Sequence, residues 1–302
     1  MSLHTKRKET LLGLPINKRV TPSFFVANKG LQFEWSVLHH ALSRVGDPSE
    51  LSSEQNVTRL KAADEVSKMG ESSAVSQAGL QVINQIKPGG FAAEQLFYKS
   101  FMKMGGGANE GKTDIIFSKG GTKYKCSMKY GNDYQLTSAG IDKSIKILTS
   151  ILKLVANKYG TRDDAMCLGY LQLVLEEISN KFENNTGTIT AAEADRLMSS
   201  TRENLGLESR LQSILGTRKN PTTSGVYSKF KYELTKECLT GEMTFGGGDK
   251  VATHVLTESG IRPIDGKLIN EVMGRAGVRI SKKGRKAKGG VKMNAITIRY
   301  EV

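Results

Sequence analysis

Cysteine is nearly absent: Cys126, Cys167 and Cys238 are the three in 302 residues, and they lie far apart. An odd number at such spacing offers no disulfide framework and no close pair of the kind zinc sites use, so a reducing, intracellular compartment is expected. Long apolar runs are also lacking, and Met1–Thr10 is basic and polar without the apolar stretch of a signal peptide. No bilayer-spanning segment, secretory leader or membrane partner is expected. Aromatic residues make up 7% of the chain. That scarcity, with no recognisable RNA module, counts against an RNA-binding or ribosome-associated protein. Acids are in deficit, with 30 Asp and Glu against 44 Lys and Arg, a formal net charge of +14. The excess says nothing about fold, but it predicts attraction to polyanions, of which nucleic acid is the commonest.

The rest of the composition suits a folded protein. With 38% hydrophobic residues over this length, the chain can bury a core and form two domains or one elaborated domain. Three segments are expected. Residues 1–85 form an N-terminal arm and helical segment, 86–158 an α/β core, and 159–302 a helical C-terminal region with a basic, strand-ended tail. In the first, Leu38, Ala41, Leu42 and Val45 fall at helical spacing, and Ser52-Ser53 offers a cap before Glu54. Glu34 with His39 and His40 invites a metal reading. Adjacent histidines on a helix point about a hundred degrees apart, so they are read as structural or surface groups.

In the second segment, Lys87-Pro88-Gly89-Gly90 is a breaker. A helix is expected over Phe91–Met104, a strand over Lys112–Ser118, a hairpin turn at Lys119-Gly120-Gly121, a strand over Thr122–Tyr130 and a helix from about Thr137 to Asn157. In the third, Ala165–Phe182 reads as an amphipathic helix, and Thr190 with Glu193 as a capping box. A short helix is expected through Val251 and Leu256 after Gly246-Gly247-Gly248, and a strand over Ala295–Val302. The triple glycines lack the Lys-Ser/Thr of a phosphate loop, and His254 stands alone, so neither carries chemistry.

The chemistry gathers in the middle. Glu94 shares a helical stripe with Phe91, Phe97, Tyr98 and Phe101, where a carboxylate is costly to bury without a cation or donors. Asp114 sits inside Thr113-Asp114-Ile115-Ile116-Phe117, where aspartate is disfavoured unless it has a partner or a task. Ser127 and Lys129, two apart on a strand, share a face with Lys123 and Lys125, leaving Tyr124, Cys126 and Met128 for the other. Two carboxylates on adjacent elements can hold a divalent cation that polarises a phosphodiester, and a lysine beside it can position water and offset charge at phosphorus.

Gly90-x-x-x-Glu94, Asp114-Ile115-Ile116, the hairpin and Ser127-Met128-Lys129 resemble the PD-(D/E)xK, or restriction-endonuclease-like, nuclease core over about residues 86–155. Gly131-Asn132-Asp133-Tyr134-Gln135 is similar to a glutamine-bearing segment after the lysine strand in several branches. The resemblance implies a restriction-endonuclease-like mixed sheet flanked by helices. It also implies Mg²⁺ or Mn²⁺ held by Glu94 and Asp114, Lys129 as the catalytic lysine, and Gln135 as a contact to substrate or to the metal ligands. One departure is Ser127, where the family usually carries Asp or Glu. A hydroxyl can touch a metal or its water but brings no negative charge, so metal affinity should fall.

Near the end, Arg279, Lys282, Lys283, Arg285, Lys286, Lys288 and Lys292 cluster with no acid among them. Such a segment can neutralise several phosphates, so duplex DNA is the expected partner. Two readings follow. The first is a Mg²⁺-dependent DNA nuclease. The second, which Ser127 and the large flanks favour, is a non-catalytic DNA-binding packaging, DNA-end or virion component of phage type, with assembly partners or a second copy of the chain. Localisation would then be a host cytoplasm or a virion.

Overall fold

The computed structural model describes residues 29–45, 47–86, 96–98, 111–119, 121–131, 133–135, 141–159, 162–183, 188–189, 214, 216, 225–275, 277–287 and 290–301. It is an α/β fold. In chain order come helices α1 (Lys29–Leu42), α2 (Ser53–Met69) and α3 (Ala74–Ile86), then strands β1 (Leu96–Tyr98), β2 (Ile115–Lys119), β3 (Thr122–Met128) and β4 (Asp133–Gln135). Helices α4 (Ile141–Tyr159) and α5 (Arg162–Glu183), strand β5 (Thr188–Ile189), helix α6 (Gly225–Thr240) and the short α7 (Glu242–Phe245) follow. Strands β6 (His254–Thr257) and β7 (Gly260–Pro263), helix α8 (Gly266–Arg275) and strands β8 (Gly277–Ala287) and β9 (Gly290–Glu301) complete it.

One sheet runs β1-β2-β3-β6-β7, and every pairing in it is antiparallel except β3 with β6. The alternation of β2 and β3 sends their side chains to two different cores. Ile115, Phe117, Cys126, Met128 and Leu256 join α1 and α3 in one apolar cluster, with Tyr124 packed against it. On that face the Phe117 and Tyr124 rings stack at 5.0 Å, and His254 tilts against Tyr124 at 4.8 Å. From the opposite face Val255 joins a second cluster drawn from α4, α5, α6 and α8, including Leu148, Leu171, Phe230 and Val272. The sheet is therefore covered by helices on both sides. A further sheet runs β4-β9-β5, with β8 on the free side of β9.

Local signals account for several elements. Ser52 caps α2, its hydroxyl accepting from the Gln55 N–H while the Gln55 side chain accepts from the Ser52 N–H. Gly121, at φ +76°, closes the β2–β3 hairpin. Buried Glu237 of α6 accepts from the N–H groups of Met243 and Thr244, holding the first turn of α7 by its carboxylate.

Other expectations are corrected. Leu96–Tyr98 lies in a strand, not in a helix over Phe91–Met104, because Leu96, Phe97 and Tyr98 register against Phe117, Ile116 and Ile115. Aromatic and β-branched residues favour such pairing. Val255 and Leu256 lie in a hairpin with β7, not in a helix; parallel pairing with β3 overrides a short local pattern. Strand structure begins well before Ala295 in the basic, strand-ended tail, since β8 carries residues 277–287 in a ladder with β9. The capping box at Thr190 and Glu193 lies outside the described residues. The histidines at 39 and 40 are half-buried in α1, and burial pushes the His40 imidazole down to about 4.

Two packing features are testable. Helices α1 and α3 meet where a Cβ on Gly79 would lie 2.1 Å from Ser36 Oγ and 2.9 Å from the Ser36 carbonyl carbon. Gly79→Ala should therefore lower stability in urea by about 1–3 kcal/mol through overpacking, despite the better helix propensity of alanine. Lys231 of α6 is fully buried, and among the described residues its Nζ has no hydrogen-bond partner. Burial pushes its ammonium from the ordinary 10.5 down to about 8. Below pH 8 both states are protonated and the folded state bears the whole cost of the buried charge, about 3 kcal/mol. Between about 8 and 10.5 the unfolded chain holds the proton that the folded chain has lost, so stability rises with pH. Lys231→Met should raise stability at neutral pH by about 1–3 kcal/mol, and its advantage should shrink across that window.

Candidate active site

Asp114 immediately precedes β2, and Lys129 immediately follows β3. The two therefore stand at the same end of the hairpin, on the edge where the parallel pair β3 and β6 has its C-terminal ends. Ser127 is the last inward position on that face. The Asp114 N–H donates to the Cys126 carbonyl at 2.8 Å, continuing the ladder one step past the strand. In return, Asp114 Oδ2 accepts the Met128 N–H at 2.7 Å and the Ser127 hydroxyl at 3.3 Å. The Lys129 ammonium lies 3.8 Å from the same oxygen and donates to the Met128 carbonyl at 2.8 Å. The Lys129 N–H is tied to the Leu256 carbonyl of β6 at 2.9 Å. Three of the expected site residues thus converge.

Their environments differ. Ser127 is 1% exposed, whereas the Asp114 and Lys129 side chains are 25% and 21% exposed. A hydroxyl is thus buried under a carboxylate and an ammonium that both reach solvent. An ion pair at this distance and exposure contributes at most about 1 kcal/mol, so the backbone N–H, not the lysine, orients the carboxylate. The Cys126 thiol is pushed up by burial and, after it, by the Asp114 charge.

Lys112 is a member of this group that the motif did not name. It stands two residues before Asp114, and its N–H donates to the Lys250 carbonyl at 2.8 Å. A Cβ on Gly241 would lie 2.8 Å from the Lys112 Cβ, so the end of α6 closes over it. Burial, and then the positive charge of Lys129, push its ammonium down to about 8, against the opposing influence of Asp114 and Glu237. The signal was present as an i, i+2 relation to the acid.

Glu94 and Lys288 are outside the described residues. Gln135 is in β4, at the register position opposite Arg299 of β9. Lys123 pairs with Asp249 at 2.7 Å, and Lys125 donates to the Gly248 carbonyl at 2.7 Å, so both hold the glycine-rich turn before β6. Arg279, Lys282, Lys283, Arg285 and Lys286 all lie in β8.

Among the described residues, no group of three or more His, Cys, Asp or Glu side chains is placed to hold a metal ion. The described donors are one carboxylate and one hydroxyl, hard oxygen ligands that suit Mg²⁺ or Mn²⁺ better than a softer metal. Comparison with protein-family models, curated proteins and solved structures finds no match to this chain. Among the described residues, no helix is long and apolar enough to cross a membrane.

The Asp114 geometry separates its roles. Asp114→Ala leaves the Met128 N–H without its acceptor at a part-buried position and should cost about 1–3 kcal/mol. Asp114→Asn keeps an acceptor oxygen and should cost less than about 1 kcal/mol, measured by urea denaturation.

Proposed function

We propose that this chain is a DNA-binding protein with a metal-dependent deoxyribonuclease site at Asp114, Ser127 and Lys129. The observation that carries this reading is the convergence of the three side chains on one edge of a mixed sheet flanked by helices. Such a scaffold is what the restriction-endonuclease-like resemblance implies, and clefts at the C-terminal ends of parallel strands are where α/β sheets bind ligands.

Asp114, with Glu94, would hold Mg²⁺ or Mn²⁺, which when bound polarises a phosphodiester and lowers the pKa of a coordinated water. The chain's own residues do the rest. The Met128 N–H aims one Asp114 oxygen and so fixes the carboxylate's plane. Lys129 places a positive charge beside it, where an ammonium offsets negative charge building on the phosphorus oxygens. Gln135, four residues beyond the Lys129–Gly131 bend, is a candidate contact for the substrate backbone. Ser127 contributes no charge, so metal affinity is weaker than two or three acids would give. That residue supports the second reading, a non-catalytic DNA-binding component of phage type on the same scaffold.

The deciding experiment incubates the full chain with linear, nicked and branched DNA in Mg²⁺ or Mn²⁺. Cleavage that needs the metal, falls at least about a hundredfold in Lys129→Ala and leaves DNA affinity nearly unchanged supports the nuclease. Binding with no cleavage of any DNA form in either metal assigns the non-catalytic reading instead.

A further inference from the structure

Between Glu271 and Glu301 the chain carries nine Lys or Arg residues and no acid. The fold lays most of this charge along β8. Strand β9 pairs with β8 along its length and with β4 and β5 on its other side. Among the described residues β8 pairs with no other strand, so it is the edge. Cations on an edge have a simple use, keeping sheets from pairing edge to edge. That use asks nothing of the inner strand. Here the register sets Arg279 opposite Arg299 and Arg285 opposite Lys292. Like charges directly opposite destabilise an antiparallel ladder. An anion bound along the ribbon removes that penalty, which edge protection alone does not.

Length and form narrow the anion. The eleven residues of β8 span about 36 Å at about 3.3 Å each, close to the ~34 Å of one duplex turn. The register shifts between Lys283 and Gly284, leaving Asn294 of β9 without an opposite residue, and an extra residue of this kind bends and twists a ribbon as following a curved surface requires. Tyr300 is the single aromatic in β8 and β9, too few for the base stacking on which single-strand binding relies. The root of the ribbon is tied to the chain that leaves the candidate site, since Glu301 registers with Asp133, four residues past Lys129.

We infer that the β8–β9 ribbon is an arm that tracks the phosphates of duplex DNA over about one helical turn and leads the duplex toward Asp114 and Lys129. The inference rests on the reading that DNA is the partner; it does not require that the site cleave. The test measures binding of the full chain carrying Lys129→Ala to a short DNA duplex, the matching single strand, an RNA duplex and phosphatidylglycerol vesicles, each at several salt concentrations. Replacing Arg279, Lys283, Arg285 and Lys292, which share one face of the ribbon by alternation and register, together by Gln should weaken duplex binding by at least about a hundredfold and reduce the slope of log K against log salt by about 3–4. Arg279→Lys with Arg285→Lys should keep both. If the fourfold variant fails to fold, judged by its thermal transition, Arg279→Gln with Arg285→Gln should give about half the change in slope. Unchanged duplex affinity and slope in the folded neutral variant overturns the arm, as does tighter, ribbon-dependent binding to single strands, RNA or vesicles. Ribbon-dependent duplex binding, with no cleavage in Mg²⁺ or Mn²⁺ by the otherwise identical chain that keeps Lys129, removes the nuclease and keeps the arm. Metal-dependent cleavage by a chain that keeps Lys129, carries the neutral ribbon and still binds duplex normally does the reverse.

Discussion

The hydrogen bond from the Met128 N–H to Asp114 Oδ2, with its return from the Asp114 N–H to the Cys126 carbonyl, closes the open end of the β2–β3 hairpin. The register that it closes decides which way every nearby side chain points. Cys126 and Met128 are buried against α1 and α3, so Ser127 and Lys129 must face the other side. A slip of one residue would drive the Lys129 ammonium into that apolar cluster and bring Cys126 and Met128 out of it. The register is thus specified by the core, and the convergence of acid, hydroxyl and lysine is its consequence. No separate interaction between Asp114 and Lys129 is needed to bring them together, and the 3.8 Å separation at partial exposure would be a weak one.

Ser127 has a physical logic in this setting. It is fully covered, and its hydroxyl donates to Asp114. An ionised acid in its place could not donate, and two carboxylates so close would repel unless a cation stood between them. Serine makes the cluster stable without an ion. The same exchange lowers the affinity that a metal would find there. Under the proposed reading, stability without a cation and tight binding of one would be competing requirements, and a serine at position 127 favours the first.

The parts of this structure that were legible in the sequence are those decided by neighbours in the chain. The Lys119-Gly120-Gly121 turn between two alternating runs announced the hairpin, and Ser52 announced the start of α2. Asp114, Ser127 and Lys129 could be placed on one face because alternation needs only a hairpin register. What escaped was decided by distant partners. Leu96–Tyr98 and His254–Thr257 are short apolar runs whose period is ambiguous, and they are strands because β2 and β3 offer edges to them. Helix α6, rich in buried polar groups such as Lys231, Glu233 and Glu237, lacks the two-sided pattern that marks a surface helix. Lys112 could be seen as a neighbour of Asp114 by spacing, but its burial depends on the close approach of Gly241, far along the chain.

The electrostatics of the cluster bear on how binding and chemistry would divide. A lone carboxylate repels a phosphate, and in many sites only a metal reverses that sign. Here Lys112 and Lys129 both stand near Asp114, and at neutral pH a lysine whose pKa is about 8 is still mostly protonated. The two ammonium groups thus more than offset the Asp114 carboxylate itself, while Glu237 near Lys112 and Glu258 at the Gly131 N–H place negative charge around them. In the reading proposed above, a phosphate backbone could settle at this edge without metal, and metal would then govern the rate of a reaction more than the affinity for its substrate. The basic ribbon pushes in the same direction, because it supplies a long cationic surface whose attraction does not pass through Asp114 at all. Under that reading, a protein arranged in this way would hold DNA under conditions where it does not cut it, because its grip and its metal-assisted chemistry rest on different groups.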